Sequence, residues 1–102
     1  MKNNFEYFHL MSVTSPAQRK ALLDTITNDQ LRALTELTFN IGQGNIILSE
    51  AHKKKLRPHK MFLRVLMDPR LSLAKKREAL CRKEAVVTVL LKAAVPQLKQ
   101  RL

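Results

Sequence analysis

A chain of 102 residues with 45% apolar content fits one domain with a modest core and excludes wholesale disorder. Two glycines, four prolines and no Asn-Gly or Asp-Gly pair leave little material for hairpins, so an all-α fold is expected. The net charge of +11 is one-sided: residues 1–50 carry four Lys/Arg against five Asp/Glu, and residues 51–102 carry fifteen against Asp68, Glu78 and Glu84. That asymmetry points to a polyanion partner for the second half.

Residues 1–14 read as an apolar arm ahead of a single helical basic domain, 15–102. Phe5, Tyr7, Phe8, Leu10 and Met11 are too many apolar groups for a free tail, so the arm packs on the domain or on a partner. Ser15-Pro16-Ala17-Gln18 is the first helix signal: Ser15 caps, Pro16 suits the first helical position and Gln18 completes a capping box, for a helix to about Thr25. Thr27-Asn28-Asp29-Gln30 repeats the box and opens a helix from Asn28 to about Ile41. Leu31, Leu34, Leu37 (or Thr38) and Ile41 share one face of it. Gly42 suits a left-handed stop, and Gly44 keeps the turn open. Asn45 to Leu48 is a short connector.

Ser49 caps the next helix, which runs to about Met67 and is kinked or divided by Pro58 after Leu56. Asp68-Pro69 ends it, and Ser72 caps a last helix that starts at Leu73 and meets no breaker before Pro96. The whole is expected to be a compact bundle of four to five helices, with a kinked basic helix at 49–67 and a long C-terminal helix.

On a helical wheel Lys53, Arg57, Lys60 and Arg64 fall within about 60° of one another. His52, Leu56, His59, Phe62, Leu63, Leu66 and Met67 occupy the neighbouring arc, facing a core. No acidic residue interleaves the stripe, although Glu at i, i+4 would stabilise such a face by a few tenths of a kcal/mol per pair. A partner that offsets the repulsion is implied. Lys54 and Lys55 extend the stripe, and Lys75, Lys76, Arg77, Arg82 and Lys83 open the last helix in the same manner. These eleven residues are the expected phosphate contacts. Lys and Arg on phosphates give affinity without reading sequence, and base readout would need Asn or Gln that these helices scarcely hold. Phe62 sits on the core side, which argues against a dedicated single-strand binder.

Leu73, Leu80, Val87, Leu91 and Leu98 form a near-heptad that suits packing within the chain or pairing with a second copy. Val87, Leu91 and Leu98, together with Phe5, Tyr7 and Phe8, are therefore the candidate partner-binding residues. An adaptor that binds a protein through them, with the charge secondary, is the rival reading.

His52 and His59 lack the convergent ligands a metal needs, and Cys81 has no base positioned beside it. Cys81 reads as a buried or half-buried thiol. No phosphate-binding loop, dinucleotide fingerprint or paired carboxylates appear, so no catalytic residue, cofactor or small-molecule substrate is expected and the chain reads as no enzyme. The one cysteine allows no intrachain disulfide and suits a reducing compartment. The opening MKNNFEYFHLM is no secretory signal, and residues 85–95 are too short an apolar run to span a bilayer, so no membrane role is expected.

One further pattern runs through the chain. Leu31-Arg32-Ala33-Leu34-Thr35-Glu36 and Phe39-Asn40-Ile41 precede Gly44-Asn45-Ile46 with Leu48-Ser49. Lys53-Lys54-Lys55-Leu56, His59-Lys60 and Phe62-Leu63-Arg64 follow, and then Leu71-Ser72-Leu73 with Lys75-Lys76-Arg77 and Leu80. This order resembles small basic core-like proteins of Polinton- and adintovirus-type DNA viruses and mobile elements, akin to the minor core proteins of adenoviruses. Where that family has a Gly-Gly and an apolar tail, this chain continues Glu84-Ala85-Val86-Val87. The resemblance implies genome binding or condensation, double-stranded DNA before RNA, in the nucleus or in a virion.

Overall fold

The structure, a computed structural model, describes residues 2–101. The described residues form helices joined by short turns and contain no strand. Seven α-helices run in chain order: α1 (Lys2–Val13), α2 (Pro16–Asp24), α3 (Asn28–Gly42), α4 (Glu50–Leu56), α5 (Lys60–Met67), α6 (Leu73–Arg82) and α7 (Glu84–Arg101). A 3-10 turn, Arg57–His59, separates α4 from α5.

The helix starts follow from local chemistry. Ser15, Thr27, Ser49 and Ser72 each accept a hydrogen bond from the backbone N–H three residues on, satisfying an otherwise orphaned donor. At Thr27 the box is reciprocal, because the Gln30 side chain accepts from the Thr27 N–H at 2.9 Å. At the end of α3, Gly44 takes the left-handed conformation (φ 81°), in place of the Gly42 stop expected from the sequence. The Asn45 N–H reaches the Asn40 carbonyl at 3.0 Å and the Gly44 N–H reaches that of Ile41 at 3.1 Å, closing a Schellman turn. Gly42 is instead the last helical residue, and a Cβ there would stand 2.9 Å from the Met67 sulfur. Its value is close approach to α5.

Two of three boundaries differ from expectation. Residues Lys2–Val13 are helix and pack along α7, with Phe8 and Met11 fully buried, Phe5 and Tyr7 half-buried, and Leu10 and Val13 exposed. The stretch 49–67 is not kinked but divided after Leu56 into two helices and a 3-10 turn, the other of the two outcomes expected of Pro58, because Pro58 cannot donate the bond that would continue α4. The expected helix from Leu73 breaks at Lys83 (φ −129°, ψ 39°), whose carbonyl then accepts from Val86 and Val87 at 3.1 Å as α7 begins. Pro96, by contrast, lies inside α7. The lost bond costs up to about 3 kcal/mol. Burial of Val95 and Leu98 beside it offsets that cost.

One core holds these pieces together, drawn from α1, α2, α3, α5, α6 and α7 with Ile46 and Leu56. The near-heptad is spent there: Leu80, Val87, Leu91 and Leu98 are buried, and Leu73 packs at the edge. Phe8 is buried with them, and Phe5 and Tyr7 are half-buried against the same core. The expected partner-binding set is thus corrected: these side chains bind their own chain, since the apolar area they hide inside it is larger than an exposed arm would keep.

Two polar clamps lock the arrangement. Arg19 on α2 is buried; it donates to the Met11 carbonyl at 3.0 Å, the Thr14 carbonyl at 2.8 Å and the Glu84 carboxylate at 2.9 Å. It therefore satisfies carbonyls left open at the C-terminus of α1 while pairing with the first residue of α7. Gln97 on α7 accepts from the Ile47 N–H at 2.9 Å and donates to the Ile47 carbonyl at 2.6 Å, holding the 45–48 connector.

Tyr7 donates to the Leu22 carbonyl at 2.8 Å, and burial pushes its phenol up from 10.0 to about 12. Below pH 10 the phenol is protonated folded or unfolded, and its contribution is complete. Between 10 and about 12 the unfolded chain ionises first, so stability falls with rising pH across that window. Tyr7 is the single tyrosine and there is no tryptophan, so tyrosinate absorbance reads this titration directly. Replacing Tyr7 with phenylalanine should flatten the loss of stability above pH 10; an unchanged slope would assign it to other groups.

Candidate nucleic-acid interface

The stripe Lys53, Arg57, Lys60, Arg64 is carried by α4, the 3-10 turn and α5 in succession. The break does not scatter it. Lys53, Arg57 and Lys60 all line one groove of about 450 Å³, whose other walls include Ile41, Leu48, Leu56, Leu63, Met67 and Leu90. Arg64 lines an adjoining depression that shares Gly42 and Met67 with the first and also holds the half-exposed Phe39. All four cations are exposed, as are Lys54 and Lys55.

The acidic surroundings are sparse. Glu50 reaches Lys53 at 3.4 Å, a surface contact of small energetic value. Among the described residues the polar contact of Arg64 is with the Met61 sulfur, at 4.0 Å. Among the described residues no ion pair involves Lys54, Lys55, Arg57, Lys60 or Lys75. Asp68 is occupied by Arg70, which donates to it at 3.1 and 3.2 Å and holds its carboxyl below the usual range. These exposed cations are therefore not neutralised by a carboxylate of the described residues.

The second basic run is divided by the fold. Lys75 is exposed at the start of α6. Lys76 is corrected as a phosphate contact: it is 3% exposed, with Nζ 3.4 Å from the Thr35 hydroxyl, and burial pushes its ammonium below the ordinary lysine range. Arg77 turns inward as well, donating to the Ile26 carbonyl and to the Asn28 side chain at 2.7 Å, where it ties the α2–α3 turn. Arg82 pairs with Glu78 at 3.1 Å on the surface. Lys83 is half-buried at 3.4 Å from His59 Nδ1; an ammonium can only donate, so that nitrogen is the acceptor and the proton of a neutral ring sits on Nε2. This contact sets the end of α6 against the 3-10 turn.

The surface differs from the sequence expectation by that subtraction. Lys76 and Arg77 were indistinguishable from their neighbours in the chain, and only the packing of α6 on α2 and α3 shows which way they point. Replacing Lys76 with methionine should leave affinity for a polyanion within about twofold and keep or raise stability, because an isolated buried ammonium is costly. Replacing the exposed Lys75 with glutamine should lower affinity. Equal losses in a filter-binding titration would refute the distinction.

Among the described residues no three His, Cys, Asp or Glu side chains converge as a metal site. Cys81 is exposed, contrary to expectation, and its thiol is pushed up by partial desolvation and by Asp24, whose carboxylate it approaches at 3.6 Å. The basic neighbours lower it less. No helix among the described residues is long and apolar enough to cross a membrane.

Comparison with family models, with curated proteins and with solved structures finds no match for this chain.

Proposed function

We propose that this chain binds double-stranded nucleic acid, DNA in preference to RNA, through its phosphates and with little regard to sequence. The observation that carries the reading is the run of exposed cations Lys54, Lys55, Arg57, Lys60 and Arg64, for which the described residues provide no carboxylate partner. Such a surface repels itself unless a polyanion lies against it. Phosphate contacts by these residues and Lys75 release counterions, which gives affinity that falls steeply with salt. The chain acts as a binding protein without catalysis, and its setting is the nucleus or a viral or mobile-element particle, where it condenses the genome, as the resemblance to core-like proteins implies.

A salt titration on a random DNA duplex and a matched RNA duplex tests this. With six phosphates neutralised, log affinity should fall against log salt with a slope of about −5, alike for unrelated sequences and with DNA bound more tightly. Absence of binding at low salt would overturn the reading. The adaptor reading, if it then takes first place, rests on the groove beside the stripe, since the arm and the seam are buried.

A further inference from the structure

Phosphate binding accounts for the cations and leaves the groove beneath them unexplained. A sugar-phosphate backbone has little use for a trough walled by Leu48, Leu56, Leu63 and Met67. Lys53, Arg57 and Lys60 stand in that trough's own lining, and Arg64 continues the line over the adjoining depression. From Lys53 to Arg64 the rim spans eleven residues, carried by α4, the 3-10 turn and α5 in succession.

We infer that this groove receives an acidic amphipathic helix of a partner protein, its apolar face in the trough and its carboxylates on the stripe. Size and charge choose this occupant together. About 450 Å³ accommodates a few large side chains, the number that a helix presents at i, i+3 or i+4, and i+7. A single small anion would engage one or two of the cations, whereas four in a line match carboxylates repeated along a helix. Met67 is unbranched and polarisable, a side chain able to refit around different apolar anchors. Met61 and Ile47, large and mostly exposed, add apolar surface on α5 and on the connector. The inference does not rest on nucleic-acid binding, although the two ligands would use the same cations and exclude one another.

The test is a display library of sixteen-residue helices with Leu, Ile, Phe or Met at four positions of one face and Asp, Glu, Lys or Gln free at the flanks, selected on the intact chain. Selection should enrich Asp and Glu at the flanks, and a synthetic peptide of the winning sequence should shift the backbone resonances of Leu48, Leu63 and Met67. Replacing Lys53, Arg57 and Lys60 together with glutamine should weaken that peptide tenfold or more. Leu63→Ser should weaken it similarly while leaving duplex DNA affinity unchanged, which separates this site from phosphate binding. Circular dichroism on each variant checks that the helices persist; if Leu63→Ser unfolds, Leu63→Ala serves in its place. No enrichment, flanks without an acidic bias, resonance shifts elsewhere, or equal loss of peptide and DNA on the Leu63 change would each overturn the inference.

Discussion

Replacing Arg19 with methionine should lower the unfolding free energy by about 3 kcal/mol. For a domain of this size that moves the thermal midpoint down by about 12–24 °C. The magnitude follows from what the side chain leaves behind. Two backbone carbonyls, of Met11 and Thr14, lose their donors, and the Glu84 carboxylate loses its partner 2.9 Å away. Methionine keeps much of the stem's packing, so the loss reports the polar contacts. Glu84→Gln should cost less, because the amide oxygen still accepts from the guanidinium. Urea unfolding of the two single variants and the double variant gives the coupling. A loss for Arg19→Met under about 1 kcal/mol would show that water replaces the clamp, and the junction of α1, α2 and α7 would then be held by apolar packing alone.

The second large effect concerns the ligand and spares the fold. Reversing Lys53, Arg57, Lys60 and Arg64 to glutamate lowers the net charge from +11 by two for each residue, to +3. All four side chains are exposed, and their mutual repulsion disappears, so the thermal midpoint should stay within a few degrees. Duplex affinity at moderate salt should fall about a thousandfold or more, since four phosphate attractions become repulsions. The milder glutamine changes, made one at a time, should each reduce the salt slope by about one. Retained affinity in the fourfold reversal would move the nucleic-acid surface away from this groove, and Lys92 and Lys99, exposed on α7, would be the next residues to examine.

What a short stretch of chain can decide was legible before folding. The caps at Ser15, Thr27, Ser49 and Ser72 depend on residues three apart, and each forms as expected. The stop before Pro69 and the division at Pro58 rest on a missing N–H, an equally local fact. Lys53, Arg57 and Lys60 still line one groove, because a 3-10 turn of three residues changes the helical phase only modestly, while Arg64 lines the adjoining depression.

The misplacements share another cause. The break at Lys83 has no breaker residue; it arises because α7 must turn back along α1, with Arg19 holding Glu84 at the junction. Phe8 has the same composition on a partner-seeking arm as on a core helix, and only α7 beside it distinguishes the two. Lys76 and Lys75 differ by one position, yet one ammonium lies buried near Thr35 and the other is exposed, which depends on where α3 sits. The groove is assembled from α3, α4, α5 and α7, distant in sequence, so no local pattern could announce it. The sequence by itself determined the helical class, the helix starts and the one-sided charge, all set by propensity, capping and spacing within a few residues. Tertiary structure alone decided which cations are spent inside, which apolar faces are covered, and that the remaining stripe borders an apolar trough, because burial is a property of surfaces brought together from across the chain.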